Sequence, residues 1–198
     1  PPLRNMANMA STSYCIEGSK KDLKRLYKLI DGFMTGKEKP FWEDSAENWL
    51  GNVIKALGAT EEQMKNNYLR GFIETYELDG DVLRIAAEEA WGTTDFRHIL
   101  KKLMPELTIY YIVEEPGFEV YATNDAAGKY FTERFNVDAC VDGHDYWEYF
   151  QEEKETMDYV ASLLKKDNIT EADIEQWNKE HEEEGDFIHV HEFEVVEN

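Results

Sequence analysis

The sequence predicts an α+β fold built on an antiparallel sheet, with a βαββαβ succession followed by additional C-terminal strands and helices. Three observations carry this. Segments that alternate with period two, such as residues 107–113, are interleaved with segments whose apolar residues recur every three to four positions, such as residues 23–33. Two pairs of extended segments are joined by tight-turn dipeptides, Asp79-Gly80 and Pro116-Gly117. With 42% apolar residues, including ten Phe, eleven Tyr and five Trp in 198 residues, the chain has enough large side chains to fill a core despite its charge.

Taken in order, Ser11 to Glu17 sets Thr12, Tyr14 and Ile16 against Ser13 and Cys15, a strand ended by Gly18. Ser19 and Asp22 have capping spacing, and Leu23, Leu26, Tyr27, Ile30 and Phe33 then share one helical face opposite Lys20, Lys21, Lys24 and Lys28. Asp44 and Glu47 predict the cap of a second helix with Trp49, Leu50, Val53, Ile54 and Leu57 as its stripe, and Thr60 with Gln63 a further helical turn. Leu69–Leu78 and Val82–Glu89 form a hairpin around Asp79-Gly80. Thr93 or Thr94 caps a third long helix, whose buried face is Phe96, Ile99, Leu100, Leu103 and Met104 before Pro105. Leu107–Val113 and Phe118–Thr123 form a second hairpin, and Lys129–Val141 is read as one more strand of the same meander.

Strand, helices, hairpin, helix, strand is the succession of a ferredoxin-like core, assigned to residues 9–140. Residues 141–198 supply the additions, expected to pack on the same domain: a short strand at Asp145–Phe150, a helix over Glu152–Lys166, a helix from Thr170 capped through Asp173, and a last strand over Phe187–Val196. No internal repeat or low-complexity linker marks a boundary. Met6-Ala7-Asn8 reads as a start, so residues 1–5 are left out of the fold.

The net charge of −21 arises from 42 acidic against 21 basic residues spread along the chain. Such a field repels phosphate backbones and anionic lipid, so direct nucleic-acid binding and membrane association are disfavoured. It attracts basic proteins and cations, and at its extreme imitates the charge of DNA. Cys15 and Cys140 fall in expected strands as packed thiols, and no apolar run approaches spanning length, which together predict a cytoplasmic protein.

Residues 83–121 carry a distinctive arrangement: a strand ending in Ala90-Trp91-Gly92-Thr93, a helix closed by Pro105, Tyr110-Tyr111, then Glu114-Glu115-Pro116-Gly117 and Val120-Tyr121. With Met6-Ala7-Asn8 ahead of the first strand, this resembles the YubB ferredoxin-like family of uncharacterised plasmid and phage proteins over about residues 6–137. The chain departs from the family pattern at Ser13-Tyr14-Cys15, where an early Trp-Cys is expected, and in a long insertion carrying Trp42 and Trp49. The resemblance implies the fold and a mobile-element context; it carries over no catalytic residue.

His189-Val190-His191 places two imidazoles on one strand face, a spacing that ligates zinc if His181 or Glu192 completes the set, while a solvent-facing polar strand explains the same pattern without metal. Glu88, Glu89, Glu114 and Glu115 could approach as an acid–base pair, but no nucleophile, phosphate loop or Ser/His/Asp set accompanies them, so no catalytic residue and no cofactor is assigned. His98 and His144 are isolated. Trp91, Tyr110, Tyr121, Tyr130, Trp147 and Tyr149 are candidates to line a sheet face left uncovered by helices, with core packing as the competing role. The expected recognition set is Trp91, Tyr110, Glu114, Glu115 and Tyr121. The function this favours is a non-enzymatic binding module that meets a basic or DNA-binding protein partner through an acidic aromatic surface. The alternatives are an acidic DNA mimic that inhibits a DNA-binding enzyme, and a small metal-dependent hydrolase.

Overall fold

The computed structural model describes residues 8–42 and 45–197. It is a mixed α+β structure that divides into two compact units, the first ending at Asn124 and the second beginning at Asp125. No helix among the described residues is long and apolar enough to cross a membrane.

In the first unit, strand β1 (Met9–Glu17) is followed by helices α1 (Lys20–Met34), α2 (Leu50–Ala56) and α3 (Glu61–Asn66). The hairpin β2 (Gly71–Asp79) and β3 (Val82–Ala90), helix α4 (Phe96–Leu103), and strands β4 (Thr108–Glu115) and β5 (Val120–Thr123) complete it. Its strands lie in the order β2-β3-β1-β4-β5, with every neighbouring pair antiparallel. Period-two alternation sends Tyr14, Ile16, Leu83, Ile85, Ile109, Tyr111 and Val113 to one buried face. There α1 packs on β2 and β3, and α4 on β4. Tyr14 meets Phe96 of α4 edge-on, with ring centroids 5.6 Å apart.

Local chemistry sets the ends of these elements. Ser19 caps α1 by accepting from Asp22 N, and Thr60 with Gln63 makes a full capping box on α3. Helix α2 starts only at Leu50, because Asn48 exchanges hydrogen bonds with Ile73 and Trp49 bridges to Phe72, holding the preceding chain extended against β2. Asp44, the expected cap residue, lies outside the described residues, as does the Met6-Ala7 start. In the first hairpin Asp79 pairs with Val82, so the loop is Gly80-Asp81 rather than Asp79-Gly80. Gly80, at φ +61°, takes the first central position with the positive φ of a type II′ turn.

In the second unit, β6 (Phe135–Val141) and β7 (His144–Phe150) form a hairpin. Helices α5 (Glu153–Leu163) and α6 (Glu171–Glu180), strand β8 (Phe187–Glu192) and the two-residue strand β9 (Glu194–Val195) follow. Strand β6 is central in a three-stranded sheet of order β7-β6-β8. One face, built on Val137, Ala139, Val141 and Ile188, packs against Val160 of α5 and Ile174 of α6. Thr170 and Asp173 form the expected capping box on α6.

The expectation that residues 129–141 extend the first meander is corrected here: β6 begins at Phe135 and heads its own sheet. The reason lies at Asp125. Its carboxylate accepts from Lys129 N (3.0 Å), Tyr130 N (2.7 Å) and Phe131 N (2.9 Å). Arg134 Nη2 donates to the Asp125 carbonyl at 2.7 Å and its Nη1 to the Phe131 carbonyl at 3.0 Å. Backbone groups committed to this loop cannot also serve a ladder. The contact boundary accordingly falls at 124/125, ahead of the expected 140/141.

Candidate functional site

Two surfaces, each within one unit, carry some of the residues singled out by sequence. In the first unit, Trp91 sits just past the end of β3 with φ +69°. Its backbone N–H donates to the Asn8 carbonyl at 2.8 Å. Trp91 is 48% exposed, and its ring lies edge-on to that of Phe118, 59% exposed, with centroids 5.5 Å apart. Met9, also exposed, pairs with Ala90, the residue before Trp91. In the sequence Phe118 opens an expected strand; its exposure follows from the 3₁₀ turn Pro116–Phe118 that carries it.

The four glutamates separate by face. Glu88 and Glu114 are both in register with Ser11 on the helix-free face, and Ser11 Oγ donates to Glu88 Oε1 at 3.0 Å. Glu89 and Glu115 are buried instead. Glu115 accepts from Gly117 N (2.9 Å) and Phe118 N (2.6 Å), so it builds the turn that presents Phe118. Glu89, fully buried, accepts from Tyr14 OH (2.7 Å), Thr94 N (3.2 Å) and the Thr94 hydroxyl. Burial, then the charge of Glu89 and its hydrogen bond, push the Tyr14 phenol well above its ordinary pKa. Thr94 Oγ1, a candidate helix cap, accepts from Phe96 N at 3.2 Å while donating to Glu89. Tyr110 is half-buried on the helix-free face opposite Cys15, and Tyr121 is buried opposite Glu114. The expected set is therefore not one patch. Trp91 is its exposed aromatic, Glu114 a carboxylate of the helix-free face, and Glu115 the cap of the Pro116–Phe118 turn.

In the second unit the cross-strand register assembles the other surface. Asp138 of β6 is opposite Trp147 of β7 and His189 of β8; Asn136 is opposite Tyr149 and His191. Directly opposed residues of a ladder share a face, so two parallel rows cross the sheet on the side away from α5 and α6. Donor atoms of Asp138, His189 and His191 all lie within 4.8 Å of one another. His191 is buried at 6% exposure, Asp138 half-buried and His189 exposed. The imidazoles stand 6.0 Å apart at 72°, and the His189 ring meets Phe187 at 4.8 Å. On the β7 side, Trp147 Nε1 donates to Tyr149 OH at 2.9 Å, with the two rings edge-on at 6.2 Å. An open cavity of about 390 Å³ adjoins His189 and is lined also by Asn178, Lys179, Glu182 and Asp186.

The third donor differs from both sequence candidates. Glu192 points to the opposite face from His191, and His181 Nδ1 donates to the Trp177 carbonyl at 2.8 Å with its ring stacked on Trp177 at 4.2 Å. Asp138 was missed because its proximity depends on pairing between β6 and β8. Among the described residues, this is the one set of three His, Cys, Asp or Glu side chains placed to hold a metal ion. Cys140 stays apart: burial first, and then its contact with Asp186 at 3.5 Å, raise its thiol pKa. Comparison of the chain with protein-family models, with curated proteins and with solved structures finds no match in any of the three.

Proposed function

We propose that the protein is a non-enzymatic interaction module, with a ferredoxin-like core in its first unit, that binds a basic protein segment through the acidic aromatic corner of that unit. Support for the core is the antiparallel order β2-β3-β1-β4 generated by the succession of elements. Support for the surface rests on one observation: Trp91 is both strained and exposed. An L-residue in the left-handed region costs about 1–2 kcal/mol, and leaving a large ring half in water forgoes about half of its burial energy. Backbone outliers of this kind concentrate at functional sites. Phe118 widens the apolar platform, Glu88 and Glu114 flank Ser11 on the helix-free face of the same unit, and the net charge of −21 favours a cationic partner.

The test is capture from lysate at moderate salt, followed by calorimetry with the identified partner and purified W91A/F118A and E88Q/E114Q proteins. The reading expects a basic partner whose affinity falls at least about tenfold in the aromatic variant, by analogy with buried aromatic anchors, and less in the carboxylate variant. Binding that survives W91A/F118A and is displaced by duplex DNA would transfer the recognition to the acidic field as a whole and overturn it.

A further inference from the structure

We infer that Asp138, His189 and His191 form a binding site for one divalent first-row transition-metal ion of the zinc type, independent of the interaction corner in the first unit. The donor set is two imidazole nitrogens and one carboxylate oxygen, the composition that zinc and its neighbours accept at three-ligand sites with a further position left to water. It is held on two hydrogen-bonded strands, not on a loop. Asp138 and His189 are direct cross-strand partners, while His189 and His191 share a face through the two-residue strand period.

A cross-strand carboxylate–imidazole pair would account for Asp138 and His189 alone. The third donor is the buried imidazole of His191, whose nitrogen lies within 4.8 Å of both. A metal uses all three, because its ligands converge from the same face. Ligand atoms around a tetrahedral ion with bonds of about 2.0–2.1 Å lie ~3.4 Å apart, so the donors must draw closer on binding. The exposed ring of His189 has the rotational freedom to supply that movement, while buried His191 and half-buried Asp138 fix the position of the ion. The surroundings favour a cation as well: the chain carries −21, and Glu182 and Asp186 line the cavity that His189 walls. In that cavity Lys179 is the basic residue.

The test uses the full chain without a histidine tag, stripped with chelator, titrated with Zn²⁺ by calorimetry and with Co²⁺ by visible absorption. One equivalent per chain is expected, with the strong visible bands of a low-coordinate Co²⁺ site. A Zn²⁺-dependent rise in unfolding temperature should accompany it, since an ion that binds the folded form alone stabilises by mass action. H189A removes an exposed side chain and D138N keeps the shape of its site, so both variants are expected to fold; each should weaken binding at least about tenfold and abolish the thermal shift. H144A and H181A should bind as the parent chain does. Zn²⁺ binding in the parent no tighter than in H189A and D138N, or binding lost instead in H144A or H181A, overturns the assignment.

Discussion

Replacing Asp125 with Asn tests whether one carboxylate organises the entry to the second unit. Asp125 is 1% exposed, and its two oxygens accept three backbone N–H groups, Lys129 on Oδ1 and Tyr130 and Phe131 on Oδ2. Hydrogen bonds to an ionised group contribute about 1.5–3 kcal/mol each and neutral ones about 0.5–1.5. Asn turned to keep Tyr130 and Phe131 on its carbonyl oxygen weakens those two bonds and sets its NH₂ against the Lys129 N–H, donor against donor. Allowing for relaxation and non-additivity, D125N should destabilise the second unit by about 2–4 kcal/mol at pH 7. Native-state hydrogen exchange of the β6, β7 and β8 amides reads this directly, because it reports the opening free energy of that unit. The pH dependence adds a second check. Burial raises the Asp125 pKa, but the bonds from Phe131, Tyr130 and Lys129 and the charge of Arg134 outweigh it, leaving the group below its ordinary value. A carboxyl lowered in the folded state contributes its full stability above the unfolded value of about 3.9 and loses it as pH falls through the lower, folded value. The gap between parent and D125N should therefore narrow below about pH 4. A gap under about 0.5 kcal/mol at pH 7, or one that widens on acidification, would refute the account.

Two further outcomes follow from backbone and packing. Gly51 is in the first turn of α2, where Ala is intrinsically better by up to about 1 kcal/mol. A Cβ there would overlap the Trp49 ring, whose Nε1 donates to the Leu69 carbonyl at 2.7 Å. G51A should thus destabilise by about 1–3 kcal/mol in urea unfolding, and a stabilised variant would show that the ring moves aside freely. At position 91, Ala and Gly both lose the ring but only Ala keeps the strain of φ +69°, so W91G should be more stable than W91A by about 1 kcal/mol in thermal unfolding. Equal stabilities would show that the left-handed conformation costs nothing there and would remove the main support for a presented Trp91.

The fold was most legible where one residue's chemistry decides a local feature. Ser19, Thr60 and Thr170 cap the helices that their spacing announced. The two Asp-Gly dipeptides that lie in hairpins show the limit of such signals. Asp142-Gly143 occupies both central positions of its turn, at φ +52° and +73°, as a type I′ hairpin requires. Asp79-Gly80 has the same letters, yet it is shifted by one position, so that Gly80 alone takes a positive φ. The flanking register chooses between the two, and that register comes from which face is buried. Glu115 illustrates a different loss. In sequence it is one of 42 acidic residues, and only its position ahead of Pro116-Gly117 hints that its carboxylate will accept the N–H groups of the turn.

The metal-binding candidate divides along the same line. That His189 and His191 share a face is a consequence of the two-residue period, readable from three letters. That Asp138 stands beside them depends on three non-local constraints acting together. The Asp142-Gly143 turn, held by Asp186 accepting from both N–H groups, fixes β7 against β6. Asn178 of α6 brackets Ile188, accepting from its N–H at 2.8 Å and donating to its carbonyl at 2.9 Å, which fixes the position of β8 along the helix. Buried Asn136 adds a bond from Nδ2 to the Glu148 carbonyl at 3.2 Å, tying the central strand to β7 at the row that contains His191. A slip of one residue between β6 and β8 would put Asp138 and the two histidines on opposite faces and leave the histidines without a carboxylate. The polar residues that specify the sheet thus also specify the donor set, so Asn178 and Asp186 belong to the candidate site without facing the ion.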